Sequence, residues 1–266
     1  MQRPHVSHIF SQDLIYWIKR KLGKGDYVAS FPTWKDAADH STSYTTDTAL
    51  YLDKFFYPKL NHISSCSQDW SVATAISLAC RGKENNAPVS ILDFGGGVGV
   101  RFLEMRTLLT NLGIPKLWRV VELPDLVARM NEIDLPEGLV FDTELPPAGT
   151  SDVVIVDGVL QYIENTYDAL DALLKLSAKY VVVRRTPLVA SETEIFIVQR
   201  NSIKNDGTTV PLVIAKKSKF EETIVSNGYA IVNCFEQEHA DKTYFSDFQY
   251  MTYFLAKDHE GCEPAA

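Results

Sequence analysis

A glycine-rich loop directly after an apolar segment is the part of this sequence with the clearest capacity for chemistry. The apolar residues 89–94 include one acid, Asp93, and glycine then recurs at every second position, at Gly95, Gly97 and Gly99. Glycine lets the backbone turn sharply and approach a ligand where a Cβ atom would collide. Apolar residues at helical spacing follow, so the loop should open onto a helix N-terminus, which favours negative charge. The segment predicts a backbone cradle for a nucleotide-type ligand with an anionic group.

Two kinds of cofactor are bound by loops of this type, and the glycine spacing helps to separate them. A dinucleotide fingerprint reads Gly-x-Gly-x-x-Gly, whereas here Val100 stands at the third glycine position and Gly99 comes one residue early. The arrangement resembles motif I of the class I S-adenosylmethionine (SAM) methyltransferases. A dehydrogenase is the alternative. The resemblance implies that the methionine end of SAM is held by Asp93, Gly95, Gly96, Gly97 and Gly99.

The next predicted strand, residues 118–123, also ends in an acid. Glu122 lies 25 residues after Gly97, near the spacing of about 20 at which α/β nucleotide folds place a carboxylate on the ribose hydroxyls. A carboxylate suits this task because it accepts hydrogen bonds from two adjacent hydroxyls. We therefore assign Glu122 and its neighbour Leu123 to the cofactor site. A solvated glutamate at a strand end is the alternative.

A third predicted strand, residues 138–141, leads into Asp142 and Thr143. In SAM methyltransferases the loop after the third strand touches the adenine. The resemblance therefore implies that Asp142 accepts a hydrogen bond from the adenine amino group, with Thr143 beside it. Ordinary loop polarity would explain the same residues.

The fourth predicted strand, residues 152–157, resembles the fourth motif of the same superfamily, in which the strand end faces the transferring methyl group. This resemblance places Asp157, Gln161 and Tyr162 nearest the chemistry. Asp157 is the first choice for a general base, because an acid at a buried strand end is expected to have a raised pKa. Tyr162 is the second choice, as a proton donor or as an aromatic wall beside the sulfonium.

Two arginines end the fifth predicted strand, residues 180–183. Arg184 and Arg185 leave it at the end where an anionic substrate would bind. Because adjacent strand residues point in opposite directions, at most one of the two should face the site. The motif match favours Arg185 as a catalytic residue, and a structural pair between arginine and carboxylate is the alternative.

A closer resemblance extends over residues 27–235. The chain is similar to a small family of methyltransferases associated with gene clusters for bacterial surface polysaccharides and secondary products. The resemblance implies a SAM pocket and a small-molecule acceptor. Its motifs are Trp34-Lys35-Asp36-Ala37-Ala38, Leu92-Asp93-Phe94-Gly95-Gly96, Val121-Glu122-Leu123-Pro124, Val159-Leu160-Gln161-Tyr162, Arg185-Thr186-Pro187 and Val198-Gln199.

Buried strand patterns alternate with amphipathic helix patterns, which predicts a doubly wound parallel sheet. The expected fold is α/β: a Rossmann-like class I methyltransferase sheet of seven mostly parallel strands with a helical N-terminal extension. We predict a helical lid over residues 1–87, a SAM-binding domain over 88–258 and a tail over 259–266. An insertion at 188–215 should hold one strand, residues 194–199, and the last two strands of the sheet should follow it at residues 229–235 and 248–256. In the lid, helical patterns cover residues 9–22, 47–56 and 70–80.

Composition narrows the class of protein. The chain has 266 residues, 45% of them hydrophobic, and a net charge of −8 from 26 basic and 34 acidic side chains. This balance argues against nucleic acid as a partner. No apolar run approaches the roughly 20 residues of a membrane helix, and the N-terminus lacks a hydrophobic signal core. Neither the four cysteines nor the six histidines have metal-ligand spacing, so we expect no metal and a cytoplasmic protein with reduced thiols.

These observations predict a SAM-dependent methyltransferase whose partner is a small molecule: a sugar, an amino acid or a secondary metabolite. Two other functions need the same pocket. One is an enzyme that transfers or cyclises the aminocarboxypropyl arm of SAM and releases methylthioadenosine, and the other is a SAM-fold binding protein without turnover. A homodimer is a possible assembly.

Overall fold

The apolar runs that we predict to be strands all form strands, and two further strands join them in the described part of the chain. The computed structural model describes residues 27–42, 48–61, 70–81, 83, 87–111, 116–200, 208–236 and 248–258. The strands are β1 (Tyr27–Phe31), β2 (Val89–Phe94), β3 (Lys116–Val121), β4 (Leu139–Asp142), β5 (Val153–Asp157), β6 (Tyr180–Val189), β7 (Ile195–Arg200), β8 (Thr209–Lys216), β9 (Tyr229–Glu236) and β10 (Phe248–Lys257).

The main part of the sheet has the order β4-β3-β2-β5-β6-β10-β9. Neighbours from β4 to β6 are parallel, and β10 is antiparallel to both β6 and β9. The chain moves outward in one direction from β2 to β4 and in the other from β5 to β6, so the strand order reverses between β2 and β5. Ligands of open α/β sheets bind at such a switch point, outside the carboxyl ends of the strands. The predicted Rossmann-like, mostly parallel α/β sheet is confirmed.

Beyond the end of β5, β6 continues and takes a new neighbour. Residues 180–184 pair with β5, whereas Leu188 and Val189 pair with β8. β7 joins β8, and β1 joins β7, both in antiparallel orientation. The predicted insertion thus holds two strands rather than the single strand expected from its pattern, and the N-terminal extension holds β1 besides its helices. Local patterning does not reveal this pairing, because β1 and β7 are far apart in the chain.

Helices cover both faces of the sheet. They are α1 (Trp34–Asp39), α2 (Thr48–Tyr51), α3 (Tyr57–Asn61), α4 (Trp70–Arg81), α5 (Val100–Asn111), α6 (Pro124–Met130), α7 (Thr166–Lys175) and α8 (Lys217–Ser226). A π-helical turn, Leu52–Phe56, joins α2 to α3, and a 3-10 turn, Leu160–Tyr162, follows β5. The predicted helix over residues 9–22 and the predicted tail over residues 259–266 lie outside the described residues.

Successive residues of the central strands face opposite helical layers. In β2, Ile91 packs in the core that contains α4 and α5, and Leu92 packs in the core that contains α7 and α8. In β5, residues 153–156 are all buried. Burial on both faces holds the carboxyl ends of β2 and β5 in place, and the candidate site depends on these two ends. No helix in the described part of the chain is both long enough and apolar enough to cross a membrane.

Candidate functional site

The glycine loop after β2 has the backbone conformation that its sequence predicts. Gly95, Gly97 and Gly99 have φ angles of 67°, 58° and 78°, in the left-handed region that side chains disfavour. A Cβ atom at Gly95 would lie 2.4 Å from the Cγ2 atom of Val159, so the loop packs tightly on the segment after β5. Among the described residues, apart from its two chain neighbours, no atom lies within 4 Å of a Cβ atom placed at Gly97. The loop is therefore fixed on one side and open on the other.

Asp93 lies beneath this loop. Its side chain is buried, its Oδ2 atom accepts a hydrogen bond from Trp118 Nε1 at 3.2 Å, and a Cβ atom at Gly96 would come within 2.6 Å of its carboxyl carbon. Burial raises the pKa of Asp93 to about 7, although the nearby charge of Arg101 opposes the rise. In this position the carboxyl group supports the loop from below, and its predicted contact with a cofactor remains a prediction.

Glu122 bridges the end of β3 and the glycine loop, and its predicted role at the ribose stays a prediction. Its Oε1 atom accepts a hydrogen bond from the Gly97 backbone N–H at 3.0 Å, and its Oε2 atom accepts one from the Leu123 N–H at 2.9 Å. The side chain of Leu123 is 47% exposed, an unusual exposure for a large apolar residue beside a polar loop. The loop, a carboxylate and an apolar surface therefore adjoin one another.

Asp142 ends β4 one strand further out. Its Oδ1 atom accepts a hydrogen bond from the Thr143 N–H at 2.8 Å, and its Oδ2 atom forms an ion pair with Arg119. The backbone N–H of Glu122 donates to the carbonyl oxygen of Asp142 at 3.1 Å. Asp142 is thus beside the candidate ribose residue, and its carboxylate already has partners on both oxygens.

Asp157, at the end of β5, is engaged by three arginines. Its Oδ2 atom contacts both Arg101 and Arg184, and its Oδ1 atom accepts from Arg185 Nε at 2.6 Å. Burial alone would raise the pKa of Asp157, but Arg185, Arg101 and Arg184 together hold that pKa below its ordinary value. The raised pKa on which we base its choice as general base is therefore wrong, because the sequence did not show how many cations meet this carboxylate.

Both Arg184 and Arg185 reach Asp157, contrary to the expectation that only one arginine faces the site. Between Val183 and Thr186 the pairing of β6 with β10 shifts, so that the two arginines oppose a single residue of β10. Arg185 has a φ angle of 50°. This β-bulge breaks the alternation of side chains on which the expectation rests.

Tyr162 and Gln161 lie in the 3-10 turn after β5. The hydroxyl of Tyr162 donates a hydrogen bond to Gln199 Oε1 at 2.8 Å, and burial raises the pKa of Tyr162 to about 12. Gln161 is buried, and its Oε1 atom has no hydrogen-bond partner in the described structure. Gln199 belongs to the motif Val198-Gln199 noted in the sequence, but that motif did not indicate a contact between Gln199 and Tyr162.

Three residues that connect the N-terminal extension to the site escaped the sequence analysis. Arg101 and Glu104, three residues apart at the start of α5, form an ion pair, and Lys59 of α3 pairs with Glu104. With Asp157 they make a continuous chain of ion pairs from the N-terminal extension to the end of β5. The three-residue spacing of Arg101 and Glu104 in the sequence indicates their contact with each other. It does not indicate the contacts of Arg101 with Asp157 or of Glu104 with Lys59. Among the described residues, no group of three or more histidine, cysteine or acidic side chains could hold a metal ion.

Asp93 should make the protein less stable as the pH rises from about 4 to about 7. In this interval the carboxyl group is protonated in the folded chain and ionised in the unfolded chain, whose ordinary pKa is 3.8. The unfolded state therefore binds fewer protons, and the free energy of unfolding falls by up to about 1.4 kcal/mol per pH unit. Urea unfolding of the wild type and of Asp93→Asn at several pH values measures this slope. Asp93→Asn should flatten it, and equal slopes would contradict the assignment.

Asp157→Asn should lower the free energy of unfolding by about 3–5 kcal/mol, because it leaves guanidinium groups without their buried anion. The matched control is Glu132→Gln, which removes an ion pair with Arg129 at an exposed position and should cost less than about 1 kcal/mol. Urea unfolding at neutral pH compares the two variants with the wild type. If Asp157→Asn is no more destabilised than Glu132→Gln, the arginine contacts contribute little and Asp157 is again available as a base.

Neither a protein-family model nor a curated relative matches the chain. Solved structures similar to it include a SAM-dependent methyltransferase from Methanosarcina mazei (12% identity, 63% of this chain and 92% of that one, TM-score 0.45). Another is human N-acetylserotonin methyltransferase in complex with SAM (16% identity, 71% of this chain and 51% of that one, TM-score 0.43). A third is a proposed SAM-dependent methyltransferase from Listeria monocytogenes (12% identity, 71% of this chain and 100% of that one, TM-score 0.44). With TM-scores below 0.5, these likenesses carry no argument about activity. The strand order and its switch point by themselves establish a Rossmann-like α/β fold.

Proposed function

We propose that this protein binds SAM at the carboxyl ends of β2, β3 and β4 and transfers its methyl group to a small-molecule acceptor. The observation that carries the proposal is the 3.0 Å hydrogen bond from the Gly97 N–H to Glu122 Oε1. It brings a carboxylate suited to ribose hydroxyls beside an open, left-handed glycine at the switch point of the sheet. The resemblance of the loop to motif I of class I methyltransferases favours SAM over a dinucleotide.

The residues at this edge fit the parts of SAM. The N-terminus of α5 suits a carboxylate. Glu122 has lone pairs beyond those used by Gly97 and Leu123, so it can accept from ribose hydroxyls without releasing the loop. Exposed Leu123 offers an apolar surface to a purine ring, with Asp142 and Thr143 next to it.

SAM, when bound, supplies a methyl group that its sulfonium sulfur already activates. The residues of this chain then contribute alignment and the exclusion of water. Burial raises the pKa of Tyr162, and its single hydroxyl proton is donated to Gln199. Its ring therefore serves as an aromatic wall, and its hydroxyl would serve as a donor only after releasing Gln199. Gln161 offers a buried oxygen to a donor group of the ligand. Asp157 acts as a positioning residue, since accepting a proton would weaken its arginine contacts.

The N-terminal segment 48–61 fits the role of a lid over this edge. Tyr51 packs against the core that contains α5, and burial together with the charge of Glu122 raises its pKa. Lys59 ties the segment to α5 through Glu104. The division into a lid over 1–87 and a SAM domain over 88–258, the bacterial biosynthetic role and the cytoplasmic location are part of this proposal and are supported by the resemblance.

Gly97→Ala should weaken SAM binding at least tenfold, because the new methyl group enters the space that the cofactor needs. Gly149→Ala is the matched control: Gly149 also has a positive φ angle, 76°, and open space at its Cβ position, so both variants carry a similar backbone strain of about 1–2 kcal/mol. Calorimetric titration should give the wild type and the control a low micromolar dissociation constant for SAM, which corresponds to a binding free energy of about −8 kcal/mol. Equal affinities of the two variants for SAM would remove the loop from the binding site.

Incubation of the protein with SAM and a small-molecule metabolite extract should release S-adenosylhomocysteine, as measured by mass spectrometry. Gly97→Leu serves as the inactive control, because its larger side chain should abolish SAM binding. Release of methylthioadenosine instead would show that the aminocarboxypropyl arm is transferred or cyclised. Tight SAM binding without either product would indicate a binding protein.

A further inference from the structure

β6 exchanges one neighbour for another, and we call the break in pairing between β5 and β8 the crevice. The pairing of β6 with β5 ends at Arg184, opposite Asp157, and its pairing with β8 begins at Leu188. The residues between these points, including Arg185, have no ladder partner on that side among the described strands. Tyr162 and Gln199 are joined by their hydrogen bond on the β7–β8 side. The break begins at the carboxyl end of β5, next to the switch point between β2 and β5 at which open α/β sheets bind ligands.

Arg185 is held rigidly at this crevice. Its Nε atom donates to Asp157 Oδ1 at 2.6 Å and its Nη2 atom to the Asp157 carbonyl oxygen at 3.4 Å. The guanidinium group lies against the backbone of Gly158, where a Cβ atom would come within 3.1 Å of it. Its backbone is in the left-handed region, which a non-glycine residue occupies at a cost and which is often found at functional positions.

The guanidinium of Arg185 nevertheless keeps donors for another partner. Its side chain is 45% exposed, and within the described structure its hydrogen bonds go to Asp157, from Nε and Nη2. The single negative charge of Asp157 is shared with Arg101 and Arg184 on its other oxygen. Asp157 therefore fixes the direction of Arg185 without fully neutralising it, and the Nη1 side can form charge-assisted hydrogen bonds to an anion.

We infer that Arg185 binds an anionic group of the acceptor, a carboxylate or a phosphate, in the crevice between β5 and β8. The inference rests on the proposed function, because it takes the ligand of this crevice to be the molecule that receives the methyl group. A planar guanidinium held by one carboxylate recognises a second oxyanion in the same plane better than a flexible ammonium would. Asp157 is the positioning residue for this contact, and Arg185 is the residue that touches the substrate.

Titration of the protein with inorganic phosphate and, separately, with acetate tests the inference and distinguishes the two chemistries. Ionic strength is held constant with chloride, and binding is followed by calorimetry. Arg185→Gln should lower the affinity for the anion that the wild type prefers by at least tenfold. Arg185→Lys, which keeps the charge without the planar guanidinium, should lower this affinity less. Arg129→Gln, at an exposed ion pair on α6, is the matched control and should bind as the wild type does.

S-adenosylhomocysteine is titrated into the same samples as a separate readout. Arg185→Gln should bind it within a few-fold of the wild type, which also shows that the variant is folded. The inference is overturned if the wild type binds neither anion. It is also overturned if Arg185→Gln binds the preferred anion as tightly as the wild type does, or if Arg129→Gln weakens that binding as much as Arg185→Gln does. If S-adenosylhomocysteine fails to bind while phosphate or acetate still requires Arg185, the proposed function fails and the anion site stands.

Discussion

The ion pairs of the Asp157 carboxylate join three elements of the fold, β5, β6 and α5. It ends β5, it receives two arginines from the bulge of β6, and it receives Arg101 from the first turn of α5. Through Glu104 the same contacts extend to Lys59 in the N-terminal extension. A charge this enclosed is tolerable only when it is fully paired. The relative positions of the glycine loop, the crevice and the N-terminal segment thus depend on one buried anion.

Four acids lie at the carboxyl ends of four neighbouring strands, and each has different surroundings. Asp93 is buried beside Trp118 and titrates near neutrality, whereas Asp157 is enclosed but remains ionised because cations surround it. Glu122 is bonded to backbone N–H groups, and Asp142 is partly exposed beside Arg119. The residue type at a strand end therefore does not decide its chemistry; the desolvation and the charges around it do.

The sequence predicted the central sheet well, because strands buried on both faces leave continuous apolar runs with glycine or acid at their ends. The spacing of Glu122 from Gly97 predicted a carboxylate for the ribose, but not its hydrogen bond to the loop. The role of Asp157 was not predictable, since Arg101 lies far from it in the chain and nothing in the pattern of α5 points to β5. The bulge at Arg185 was hidden for a related reason: alternation is a rule for regular strands, and a change of register appears only when the partner strand is known.

The hydrogen bonds of Glu122 to Gly97 and Leu123 have a consequence for how tightly the loop can hold any ligand. A glycine-rich segment loses more conformational freedom than any other when it becomes ordered. Here that ordering takes place during folding, because Glu122 and the packing of Gly95 on Val159 already restrain the loop. An incoming molecule therefore meets a preorganised surface, and more of its interaction energy remains as affinity.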